Sequence, residues 1–191
     1  MAPSFMEGAS LSALRQQING VIGIHRYNCR NAAMATTAAQ ASVTTGTAIK
    51  TMLQIATPST RQIQLISWGF TIDDTSGADG VIELLQSDVA ATVTAHGASG
   101  VQPLDPNAPA SLMTLGTSAT GFTATAEGTT TASRMFDVVA LSATTSESPY
   151  TYIYQWMPDE RPIVAISKFL RVRATTPTTA VDLRCFVTYD E

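Results

Sequence analysis

The chain has 191 residues, which fits one medium domain better than two and is long enough to bury a real core. Charged side chains make up 14% and hydrophobic ones 45%, which excludes the charge-rich, apolar-poor composition of a disordered segment. A net charge of −4 leaves no overall basic footprint for nucleic acid.

Alanine and threonine are abundant, at 27 and 28 residues, so much of the polar surface must be hydroxyl and backbone. The charge is unevenly spread. Residues 1–61 carry Arg15, Arg26, Arg30, Lys50 and Arg61 against Glu7, a local sum of +4, while 62–160 sum to −10 and 161–191 to +2. Such segregation suggests opposite-sign surfaces that meet between subunits or on a partner. No stretch approaches the roughly 18 to 20 apolar residues of a membrane span, and the first residues lack a charged segment followed by an apolar run. The chain therefore reads as soluble, unexported by a standard signal, and without membrane or nucleic-acid partners.

In chain order, Ser10 offers a cap, Leu11, Leu14 and Ile18 recur at helical spacing and Gly20 offers a stop, which predicts a short helix over 10–19. The low-complexity run from Ala32 to Ser42 has little to bury. Residues 1–45 therefore read as an N-terminal arm, extended apart from the short helix, that is either disordered or gains order by lying on another subunit, and 46–191 as the β-sandwich domain. Strands are predicted over 47–57, 61–72, 81–86, 134–143, 150–157 and 162–166, separated by turn signals such as Pro58-Ser59-Thr60 and Asp73-Asp74-Thr75-Ser76-Gly77. In 61–72 apolar residues stand on both faces, as in a strand buried from both sides. The segments 97–111, rich in proline, and 114–131, mostly Thr, Gly and Ala, read as irregular surface loops.

A C-terminal hairpin is expected over 169–187. Pairing Val172 with Val181 and Leu170 with Leu183 puts apolar pairs on one face and Arg171 beside Asp182 on the other, around a loop at Thr175-Thr176-Pro177-Thr178. Short strands at roughly ten-residue spacing, without helix-length periodic segments between them, predict an all-β fold, an antiparallel sandwich of jelly-roll type.

Chemistry-bearing patterns are sparse. Cys29 and Cys185 stand far apart with no Cys-x-x-Cys or Cys/His cluster, so neither a disulfide framework nor a zinc site is indicated, and no cofactor is expected. His25 and His96 have no ligand-spaced partner, and a triad of His96, Asp88 and a serine would arise only by spatial coincidence. Gly116-Thr117-Ser118-Ala119-Thr120-Gly121 misses the nucleophile-elbow spacing by one residue. Asp73, Asp74 and Asp79 lack the ligand alternation of a calcium loop and read as a solvated turn. The expected function is not enzymatic. Tyr150, Tyr152, Tyr154 and Trp156 recur with period two on one strand face, leaving three readings open: a glycan-stacking platform, a subunit interface, or sheet packing.

This layout of a basic Ala/Thr-rich arm, a Thr-rich β domain with long Pro/Gly loops, and the segments Phe169-Leu170-Arg171-Val172-Arg173 and Val181-Asp182-Leu183-Arg184-Cys185-Phe186-Val187 resembles the decoration, or cement, proteins of tailed bacteriophage heads. The resemblance implies a structural virion protein, commonly trimeric. It would be made in the host cytoplasm and bound to the outer capsid surface, where it clamps neighbouring major capsid subunits. On that reading Arg15, Arg26 and Arg30 contact acidic capsid surfaces, and Leu11, Leu14 and Ile18 dock the arm. A carbohydrate-binding module on the virion, or another virion component such as a jelly-roll capsomer or tail protein, is the alternative.

Overall fold

The computed structural model describes residues 25–33, 39–74, 76–129, 131–143 and 150–191. The helix expected over 10–19, with Leu11, Leu14, Arg15 and Ile18, lies outside the described residues. Thirteen strands are described: β1 (Arg26–Arg30), β2 (Val43–Thr44), β3 (Lys50–Ala56), β4 (Ile63–Ile72), β5 (Gly80–Ser87), β6 (Thr92–Ala95), β7 (Val101–Pro103), β8 (Gly121–Ala126), β9 (Arg134–Leu141), β10 (Tyr150–Gln155), β11 (Ile163–Val164), β12 (Phe169–Thr175) and β13 (Asp182–Asp190).

They form two antiparallel sheets packed face to face, as the strand spacing predicts. One sheet runs β10-β4-β13-β1-β7, with β11 also on β4 and β2 also on β13; the other runs β6-β8-β3-β12-β5-β9. The architecture is a two-sheet antiparallel β-sandwich.

Alternation fills the space between the sheets. Trp68, Phe70 and Ile72 from β4 and Leu183, Cys185, Val187 and Tyr189 from β13 join one core cluster. Ile82 and Leu84 from β5 and Leu170, Val172 and Ala174 from β12 complete it from the other sheet. Each such aliphatic side chain, fully withdrawn from water, contributes roughly 1.5–3 kcal/mol.

Four expectations are corrected. The residues of 61–72 do not face two cores. The β4–β13 register slips between Thr188 and Tyr189, so that Ser67 opposes Thr188 but Leu65 opposes Tyr189. This bulge turns Ile63 and Leu65 onto the core face already used by Trp68 and Phe70.

The C-terminal hairpin does not form. β12 lies between β3 and β5 in one sheet, and β13 lies between β4 and β1 in the other, so residues 175–181 cross from sheet to sheet. Leu170 and Val172 share the interior with Leu183, but from opposite walls. Alternation fixes which face a strand buries and leaves its neighbour open.

Finally, the stretch expected to be an arm supplies part of the sandwich. β1 sits between β13 and β7 with Tyr27 and Cys29 in the core, and β2 pairs with β13. Between them the buried Asn31 side chain prolongs the ladder: its Oδ1 accepts from Cys185 N at 2.8 Å and its Nδ2 donates to Leu183 O at 3.0 Å. The segments expected as loops likewise contain β7 and β8.

Candidate interaction surface

The aromatic stripe closes the open side of the sandwich. β10 is the edge strand beyond β4, with Tyr152 opposite Phe70 and Tyr154 opposite Trp68. Tyr150 and Tyr152 pack on the core, where Tyr152 stacks on Phe70 at 5.5 Å and meets Trp68 edge-on at 5.5 Å. Trp156 is buried and takes Tyr154 edge-on at 5.3 Å. β9, the edge of the other sheet, contributes Asp137, whose Oδ2 accepts from Tyr152 Oη at 2.8 Å and Trp68 Nε1 at 2.9 Å. Burial, followed by the Asp137 carboxylate, pushes the Tyr152 phenol well above its ordinary range. Of the four rings only Tyr154 is exposed, at 41%, while Tyr150 and Tyr152 pack on the core and Trp156 is buried. Tyr152 joins the two sheets at their shared margin.

Besides Tyr154, this margin offers to solvent the opposite face of β10: Thr151, Ile153 and Gln155, followed by Met157, with Ile153 64% and Met157 69% exposed. Met135 and Val138 of β9 and Ile163 of β11 are also exposed, and Arg134 Nη1 donates to Ile163 O at 3.0 Å, linking β9 to β11. β10 holds no charged residue, proline or glycine. The other end of its sheet is a three-residue strand that finishes in Pro103. Short strands, prolines and charges are the devices that keep sheet edges from pairing with another chain, and β10 has none of them.

The arginines expected to reach a partner divide. Arg26 is spent within the chain in a bidentate pair with Asp190, Nε–Oδ1 2.7 Å and Nη2–Oδ2 3.0 Å. Arg30 stays exposed, its Nε donating to Asn28 Oδ1 at 3.2 Å and its guanidinium 6.0 Å from the Phe186 ring centre. Arg15 lies outside the described residues.

The candidate catalytic groups are not assembled. His96 is buried, stacks on Phe122, and bonds Arg30 O through Nε2 at 2.8 Å. A Cβ on Gly100 would stand 2.2 Å from its Nδ1, so only glycine fits beneath the ring. Burial holds the imidazole below its ordinary pKa. Asp88 pairs instead with Lys168 at 2.8 Å, which keeps its carboxyl below the usual range. Asp73 pairs with Arg184 at 3.0 Å, and Asp79 accepts from Ala143 N at 3.0 Å. Among the described residues no three His, Cys, Asp or Glu side chains gather into a metal-binding group. Cys29 and Cys185 are buried free thiols.

Sequence reasoning missed Asp137 and Ile153. Asp137 is the one carboxylate inside the strand expected over 134–143, and Ile153 is the apolar residue on the reverse of the tyrosine stripe. No described protein family matches the chain, no curated protein matches it in sequence, and no solved structure matches its fold.

Proposed function

We propose that the chain is a structural virion protein that binds the outside of a tailed-phage head and stabilises contacts between major capsid subunits. The observation that supports it most is the β10 edge, a charge-free strand margin with an exposed isoleucine, on a sandwich in which Arg26, Trp68 and His96 are engaged in internal bonds. Proteins rarely leave such an edge bare unless another chain covers it. Binding works by avidity. Linked copies each contribute a modest contact through the residues before β1, so several weak sites hold what one cannot.

The test is cosedimentation of the full chain with expanded heads that lack it. The parent pellets with the heads, and a variant carrying Leu11→Asp, Leu14→Asp and Ile18→Asp binds at least tenfold more weakly, equal to about 1.4 kcal/mol. Failure of the parent to pellet, or undiminished binding by the triple variant, overturns the proposal.

A further inference from the structure

We infer that β10 pairs antiparallel with β10 of a second copy across a two-fold axis, joining two sandwiches through one continuous sheet. The argument rests on register. β10 and β4 pair along a single diagonal from Tyr150 opposite Ile72 to Gln155 opposite Ser67, and Trp156 N continues it by donating to Ile66 O at 3.0 Å. In an antiparallel ladder the direction of the main-chain groups alternates with each residue. Tyr150, Tyr152, Tyr154 and Trp156 therefore spend theirs on β4. Thr151, Ile153 and Gln155 turn N–H and C=O outward, where no strand among the described residues receives them.

The outward groups are self-complementary. With Ile153 against Ile153 of the partner subunit, Thr151 falls against Gln155 of the partner subunit, and Gln155 against Thr151 of the partner subunit. All three are pairs of the hydrogen-bonding kind, so each exchanges both of its main-chain bonds. The side chains match as well: apolar meets apolar at the centre, polar meets polar on either side, and no charge meets a like charge. The exposed Ile153 leaves water in the process. β9 is less suited to this use, because a slip at Leu84/Leu85 bulges it and Arg134 charges its start. An isologous contact of this kind closes at two copies, in place of the three implied by the resemblance to cement proteins. It does not depend on binding to a capsid.

The experiment measures the mass of the full chain in solution together with the cross-linking of two cysteine variants. The parent runs as a dimer at micromolar concentration. Under mild oxidation Ile153→Cys forms an intermolecular disulfide in most molecules, because opposed residues of a hydrogen-bonded pair have Cα atoms about 5.5 Å apart, within disulfide reach. Thr151→Cys does not, since its counterpart lies four residues along the strand, at least about 13 Å away. The native thiols are buried and do not compete. Ile153→Pro removes an outward N–H and leaves the β4 ladder whole, so it gives a folded monomer with an unchanged circular dichroism spectrum. A monomeric or trimeric parent, equal cross-linking of the two cysteine variants, or a dimer that survives Ile153→Pro would overturn the inference.

Discussion

Arg171 is a charged side chain with no exposed surface, on the outer rather than the inner face of its strand. Nη2 donates to Val89 O, Nη1 stands 3.7 Å from Glu127 Oε2, and that carboxylate also takes the Thr51 amide and, at 2.7 Å, the Thr51 hydroxyl. Burial lowers the guanidinium pKa, and Glu127 opposes the shift. Because removing one member of a buried pair strands the other, Glu127→Ala is expected to cost about 3 kcal/mol in urea unfolding. Adding Arg171→Leu should restore most of that loss; a double variant as unstable as the single would show that the pair is not what holds this face. Sequence pattern placed Arg171 correctly, away from the apolar face, and gave it the wrong partner. Its acidic neighbour comes from residue 127, in a stretch of Thr, Gly and Ala with no periodicity to mark it as covering a sheet.

At the level of strands, the central position of β4 depends on a missing side chain. A Cβ on Gly69 would meet Tyr152 O at 2.7 Å on one side and Phe186 Cε1 at 2.9 Å on the other. Gly69→Ala is therefore expected to push β10 and β13 apart and cost about 2 kcal/mol in thermal or urea unfolding, within the usual range for overpacking. A variant as stable as the parent would mean that the strands can shift without loss.

The legible part of the fold was of this local kind. β3, β4, β9, β10 and β11 fall within the segments that alternation marked, and β5 exceeds its segment by one residue at each end, because alternation follows directly from one buried face. Pairing was not legible. β12 and β13 are both amphipathic with a short connection, and the same apolar pairs satisfy a hairpin and a crossing between sheets equally well. β1 escaped because its five residues bring only Tyr27 and Cys29 to the core, next to a low-complexity run. The outward groups of β10 became legible only with the β4 register, which tells which peptide groups are already used.

Over the whole molecule, part of the segregated charge is matched within the chain. Four of the basic residues after 160 pair with carboxylates of the acidic middle: Lys168 with Asp88, Arg171 with Glu127, Arg173 with Glu83, and Arg184 with Asp73. Interleaving strands from distant segments brings these opposite signs together. The buried weak acids set a different dependence. Burial pushes the Cys29 thiol from its ordinary 9.0 to about 12, and the Cys185 thiol and Tyr189 phenol well above their ordinary values. The folded chain keeps these protons and the unfolded chain releases them. Their contribution is thus complete below about pH 9 and declines as pH climbs toward 12. Melting temperatures measured across that window should fall steadily; a flat profile would show that these groups ionise without unfolding.

The position of β1 also has a consequence in time. It is held by β7 on one side and β13 on the other, and Arg26 bonds a residue 164 positions later. During synthesis β1 emerges before the other described strands, yet its principal neighbour is complete only once residue 190 has left the ribosome. Closing so distant a contact is slow, and the half-built sheet exposes unpaired edges meanwhile. Completion of this sheet is in that sense gated by translation: β1 stays unpaired on its β13 side, and dependent on whatever shields it, until residue 190 has emerged.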